Sequence, residues 1–223
     1  MPCIPDQIGT TRLFEGLRVD ITGEPVCINL HGNDCIVIDN HGNLISYDLT
    51  TTESTQFIDP DERGEKLVKE AFMCVSEDEI VSCMNKDIII WNRKTRTVKN
   101  KISYPGYMGS IVRLEASNNH IICKSYFGTE DYYSVIPKDA KAIDASMDAN
   151  DILGAKIFMR LFAASGSLIA AFTEKQLLIF KENNRAIEIA YRINFSTLRL
   201  TFSGNLGMVQ IWLTAGNSCS PSI

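Results

Sequence analysis

Catalysis and metal binding need nucleophiles, acids, bases and ligands at fixed spacings, and this chain offers few. Its three histidines are His31, His41 and His120. The first two sit among turn-forming Gly and Asn residues and the third opens an apolar run, so no two share one element at metal-ligand spacing. The sequence contains no H-E-x-x-H, G-x-S-x-G, G-x-x-x-x-G-K-S/T or G-x-G-x-x-G pattern, the motifs whose mechanics are best understood. Seven cysteines, Cys3, Cys27, Cys35, Cys74, Cys83, Cys123 and Cys219, are scattered without a C-x-x-C pair. Four of these, Cys35, Cys74, Cys83 and Cys123, lie in strand-like segments where a free thiol packs as a small hydrophobe. No catalytic residue, metal or cofactor is expected.

The charged residues offer more. Carboxylates cluster at Asp59, Asp61, Glu62 and Glu65 and again at Glu77, Asp78 and Glu79; both clusters fall in polar connectors, where solvation keeps carboxylate pKa values from separating. Arg113 and Glu115 stand within an otherwise apolar strand, either as an inward polar pair or on one exposed strand face. The most basic run is Arg93, Lys94, Arg96, Lys99 and Lys101. It reads as a solvated outer strand whose lysines discourage edge pairing, or as a patch for an acidic partner or a phosphate-bearing ligand.

The elements that must position these residues recur at a fixed step. Apolar runs end at Tyr47 (LISY), Trp91 (IIIW), Val135 (YYSV) and Phe180 (LLIF), at spacings of 44, 44 and 45 residues, and a fifth (VQIW) ends at Trp212 after 32 more. Second-strand landmarks Ile36, Ile80, Ile121 and Leu168 keep a similar step. The runs are short, β-branched and bounded by Gly, Asn or Asp, which favours strands over helices. Each unit reads as three or four strands, for example PVCINL, CIVID and LISYDL separated by HGND and NHGN turns. Self-similarity at about 40 to 45 residues with short strands predicts an all-β fold, a β-propeller. It has about five four-stranded blades, at 24–58, 70–103, 110–138, 155–193 and 196–214. Residues 1–23 supply a candidate closing strand, and 215–223 read as a flexible tail. Three arrangements fit: a closed five-bladed ring, an open part-propeller completed by a partner, or the first blades of a larger propeller.

The segments DEIVSCMNKDIIIWNRKTRTV and LRLTFSGNLGMVQIWL resemble WD-repeat units, whose third strand ends in Trp-Asp. Trp91-Asn92 and Tyr47-Asp48 occupy that place, and Trp212-Leu213 keeps the Trp alone. No Gly-His dipeptide precedes a unit, and Val135-Ile136 and Phe180-Lys181 replace the motif elsewhere. The Asp-His-Ser/Thr-Trp hydrogen-bond network of regular WD blades therefore cannot be mapped onto the motif positions. The resemblance covers roughly residues 24 to 214 and implies a fold rather than an activity.

At 223 residues with 22 Lys plus Arg against 27 Asp plus Glu, the net charge of −5 argues against broad adhesion to nucleic acid or anionic membrane. The N-terminus lacks the basic and apolar regions of a secretory signal, and no run approaches the ~18 apolar residues of a spanning helix. An intracellular protein, cytoplasmic or nuclear, with no membrane insertion is expected. In a propeller the turns between second and third strands share one face with the connectors between blades, and such loops carry recognition. On that face Tyr104, Tyr107, Met108 and Phe127 have the residue types of interface anchors. The expected function is a non-enzymatic scaffold binding other proteins in a eukaryotic intracellular complex. Two alternatives are the substrate-recognition adaptor of a ubiquitin ligase and a propeller hydrolase or oxidoreductase working at the central channel.

Overall fold

The computed structural model describes residues 23–51, 53–59, 67–84, 87–104, 109–127, 130–143, 148–149, 161–173, 176–183, 186–202 and 209–221, with the side chains of 127, 130, 161 and 195–221 left out. Among the described residues, sixteen strands form four antiparallel sheets. The first holds β1 (Pro25–His31), β2 (Asp34–Asp39), β3 (Leu44–Asp48) and β4 (Ser54–Gln56); the second holds β5 (Ala71–Val75), β6 (Glu79–Met84), β7 (Asp87–Asn92) and β8 (Thr97–Ser103). The third holds β9 (Ser110–Ala116), β10 (His120–Phe127) and β11 (Glu130–Pro137), and the fourth holds β12 (Leu161–Ser165), β13 (Leu168–Phe172), β14 (Gln176–Asn183), β15 (Ala186–Phe202) and β16 (Val209–Pro221). Strands within each sheet follow chain order, and the first strands β1, β5, β9 and β12 lie side by side in series. That is the arrangement of propeller blades.

Two-residue hairpin turns open the first and fourth blades. Gly32 and Gly166 each lead such a turn with φ of 61° and 56°, the left-handed conformation that glycine adopts at the first turn position without a Cβ clash.

Strand alternation places one face of each blade against the preceding blade and the other against the next. Ile36, Ile38 and Leu44 of blade one meet Met73, Ile80, Ile89 and Trp91 of blade two. Val81, Cys83, Ile88 and Ile90 meet Leu114, Ile121, Cys123 and Ile136 of blade three. Ile122, Tyr133 and Val135 then meet Phe162, Ile169, Leu178 and Phe180 of blade four. Each buried Ile, Leu or Phe contributes about 1.5–3 kcal/mol of hydrophobic stabilisation, so the inter-blade layers carry the fold.

The 44-residue beat survives with a correction of one residue. Opposed pairs Cys35 with Tyr47, Ile80 with Trp91, Ile121 with Ile136 and Ile169 with Phe180 occupy equivalent places. Val135 is one residue early and faces blade four instead of blade two, as the period-2 geometry of a strand demands. Leu168 is likewise early: it is 46% exposed, while Ile169 beside it is fully buried.

The predicted fifth blade at 196–214 is not a separate sheet. From Ala186 to Phe202 there is no Gly or Pro to stop the outer strand of blade four, so β15 runs on into the segment expected to begin a new unit. β16 pairs back onto it, with Leu198 opposite Leu213, Leu200 opposite Ile211 and Phe202 opposite Val209. The segment expected as a tail is strand through Pro221. The candidate closing strand lies outside the described residues save for its last one, Gly23.

Among the described residues blade three has three strands, and the chain that leaves it straps its neighbour. Beyond Pro137 the backbone runs along the outer edge of β8, where Ser103 N–H donates to Lys141 O (3.1 Å), Ile143 N–H donates to Ser103 O (3.3 Å) and Ala142 forms a parallel bridge. Asp148 then bridges back to Ser134 on β11. At the other end of the same edge, Ile58 from blade one pairs with Thr97 and donates its N–H to Arg96 O at 3.0 Å. The edge expected to be guarded by lysines is therefore paired with backbone from both neighbours.

Candidate partner surfaces and the inter-blade cleft

The basic run begins in a locally built turn. Asn92 Oδ1 accepts the N–H groups of Lys94 (2.9 Å) and Thr95 (3.0 Å), Asn92 O accepts that of Arg96 at 2.8 Å, and Arg96 closes the turn at φ 59°. This geometry aims Arg93 inward. Its guanidinium donates to Asp34 of blade one at 2.5 Å and to the carbonyls of Ser76 (2.6 Å) and Glu77 (3.2 Å). Lys94 pairs with Asp78 at 2.7 Å, Lys99 with Glu79, and Lys101 with Asp59 (3.6 Å) and Asp87 (3.8 Å). The residues offered as a patch for an acidic partner are Arg93, Lys94, Arg96 and Lys99. Three of the four are ion-paired, and Arg93 ties two blades together. The hydrogen bond and charge of Lys94 hold the Asp78 carboxyl below its ordinary range.

Tyr104 is corrected as an exposed anchor. Its ring is 5% exposed and packs with Cys83, Ile102, Ile111 and Cys123 between blades two and three; burial pushes its hydroxyl up to about 12. The aromatic ring after the outer strand served the core because a β8 extension points between the blades. Tyr107 and Met108 lie outside the described residues. Phe127 ends β10 beside the turn to β11, and its side chain lies outside the described set.

The carboxylate expected to be solvated at Glu79 is instead mostly buried and spans two blades. One oxygen accepts from Lys99 of its own blade, and the other accepts from Lys138 of blade three at 2.6 Å. Burial alone would raise the Glu79 carboxyl, but the hydrogen bonds and charges of Lys138 and Lys99 prevail and hold it below its ordinary value. Asn100 Nδ2 donates to the carbonyls of Lys138 and Ala140 at 2.8 Å each, and Lys141 Nζ donates to Asn100 Oδ1 at 2.9 Å. These groups wall a cleft of about 510 Å³ between blades two and three, which Asn118, Asn119 and His120 complete. It opens at the ends carrying the first-to-second strand turns, opposite the loop face expected to bind partners.

Behind the cleft lies a polar cluster that sequence reasoning missed. Glu182 is fully buried on blade four, where it accepts from Ser117 Oγ, from His120 Nδ1 at 2.7 Å, from Asn119 N at 3.2 Å and from Asn119 Nδ2 at 3.4 Å. His120, which opens an apolar run, is buried here, and the carboxylate requires its proton on Nδ1. One signal was available: Glu182 follows Leu178 and Phe180 at steps of two, the parity of the buried face. Arg113 and Glu115 do pair, at 3.2 Å, and the Arg113 guanidinium lies 5.1 Å from the Phe162 ring centre of blade four, a cation–π contact across blades.

In blade two, Trp91 Nε1 donates to Ser82 Oγ at 2.9 Å, both buried, and Phe57 meets the indole edge-on at 6.0 Å. Of the four cysteines expected to pack as hydrophobes, Cys35, Cys83 and Cys123 are buried and Cys74 is half-buried, and burial pushes the thiols of Cys83 and Cys123 up to about 12.

No protein-family model matches the chain, and no curated protein matches it in sequence. Solved structures are similar over part of it. The Cps50 (Swd1) β-propeller domain of Myceliophteria thermophila aligns over 82% of this chain at 18% identity and a TM-score of 0.47. The computationally designed protein Ika4 aligns over 78% of this chain and 97% of its own, at 12% identity and 0.41. A chain of an S. cerevisiae complex of Dbp5, Nup159 and Gle1 aligns over 86% of this chain and 63% of its own, at 10% identity and 0.44. The protein spans 60% of the length of the Cps50 domain.

Proposed function

We propose that the chain is a non-enzymatic, WD-repeat-like scaffold that binds protein partners in an intracellular complex through the outer faces of its end blades. The observation that carries this reading is apolar surface at both ends of the blade series. On β1, Ile28 and Leu30 are each 65% exposed and stand opposite Val37 and Cys35, on the face turned away from blade two. On blade four, Leu168 adjoins Ile169, which packs on blade three, and Tyr191, 57% exposed, stands opposite Ile179 beyond the register shift at Ile179/Phe180, so both face the other way. Large side chains on a blade face bury apolar area when a further element packs there. The polar groups of the interior support the same reading, since Glu79 and Glu182 are engaged in inter-blade bonding.

The test is affinity purification with quantitative mass spectrometry of the wild type beside Ile28→Lys/Leu30→Lys and Leu168→Lys/Tyr191→Lys. Partners lost from one pair of substitutions, with an unchanged far-ultraviolet circular dichroism spectrum, support the reading. Recovery of the same partners at the same yield by both variants rejects it.

A further inference from the structure

The cleft between blades two and three is built with more cation than its carboxylates use. Glu79 divides one negative charge between Lys99 and Lys138, one ammonium on each oxygen. Lys141 stands on the same wall with its ammonium on the neutral Asn100 Oδ1. An ammonium has three donors, so each of the three lysines retains donors beyond these bonds. Counting Glu79 and Asp139 against Lys99, Lys138 and Lys141, the lining of the cleft has a net charge of about +1. The lysines are also held in place: Asn100 fixes the Lys138–Ala140 turn through two carbonyls, and Lys138 N–H donates to Asn119 O at 2.8 Å.

We propose that this cleft binds a phosphate dianion, free or as a monoester, on Lys99, Lys138 and Lys141. Three ammonium groups around one space match the three terminal oxygens and the charge of about −2 of a phosphate at neutral pH. A single carboxylate matches two ammonium groups, and Glu79 already occupies that role. A cleft of about 510 Å³ lies in the range that takes a small ligand, leaving room for the group that carries a monoester. The site is independent of the end faces proposed for partner proteins.

Isothermal titration calorimetry of the full chain at low salt, with inorganic phosphate and with N-acetylphosphoserine amide as probes, tests the assignment. Lys141→Gln removes a donor whose described bond is to the neutral Asn100 side chain, so it leaves the thermal midpoint unchanged and weakens binding by about tenfold. Glu79→Gln frees Lys99 and Lys138 from their carboxylate and tightens binding several-fold, a change opposite in sign to any loss of structure. Tighter binding of phosphate identifies a free anion, and tighter binding of the monoester identifies a phosphorylated side chain. Absence of saturable heat from wild type with both probes up to about 10 mM, or equal affinity of wild type and Lys141→Gln, overturns the proposal.

Discussion

Replacing Glu182 by Ala isolates the polar joint between blades three and four. The carboxylate is fully buried and accepts hydrogen bonds from Ser117 Oγ, His120 Nδ1 and Asn119 N. Ser117 has a second acceptor, the His120 carbonyl at 3.1 Å, and turns to it when Glu182 is truncated. The imidazole Nδ1–H has no such alternative among its described bonds, whereas Asn119 is an exposed residue whose amide water can reach. One buried donor without an acceptor costs about 1–3 kcal/mol, offset in part because a charge no longer needs burying. The net loss is about 1–2 kcal/mol, which in a protein of this size lowers the melting temperature by about 2–8 °C. Thermal unfolding followed by circular dichroism measures it, with Glu188→Ala on exposed β15 as the control, expected within about 0.5 kcal/mol of wild type. A Glu182→Ala midpoint no lower than that of Glu188→Ala would refute the view that this carboxylate joins the blades.

Trp91→Phe removes the indole bond and leaves the Ser82 hydroxyl buried alone, at about 1–3 kcal/mol; adding Ser82→Ala recovers part of that loss in a denaturant titration, whereas fully additive losses would mean the two groups do not interact. The thiols of Cys83 and Cys123, raised to about 12 by burial, remain unlabelled by a disulfide reagent in the folded protein and react once denaturant is added, so labelling at native rates contradicts their place between the blades.

The strands were legible because their signal is local. Alternating apolar residues and Gly or Asn turns disclose a strand from its own sequence, and the spacing of Tyr47, Trp91 and Phe180 disclosed the repeat. The register of the third unit was not legible to one residue, since YYSVI offers Val135 and Ile136 as equally apolar beats and only the neighbouring blades choose between them. The fifth unit failed for a related reason: a turn signal was needed between Ala186 and Phe202, and its absence was a weaker cue than the recurrence of Trp at position 212. Charged residues were the least legible. Arg93 meets Asp34 across 59 positions and His120 meets Glu182 across 62, and no local pattern marks which opposite charge the fold will bring beside them. Tyr104 misled by its setting, for a Tyr-Pro-Gly sequence reads as a loop tip whether its ring turns outward or in.

The straps on β8 alter how this array comes apart. Repeat proteins whose units touch only through stacked faces lose stability unit by unit, since each unit depends on nearest-neighbour interfaces alone. Here backbone from blade one holds β8 at Thr97, and backbone that has left blade three holds it at Ser103 and then returns to β11 at Ser134. Detaching blade three therefore requires breaking bonds within the edge of blade two. The two blades are obliged to open as one cooperative unit, with fraying confined to the outer faces of blades one and four.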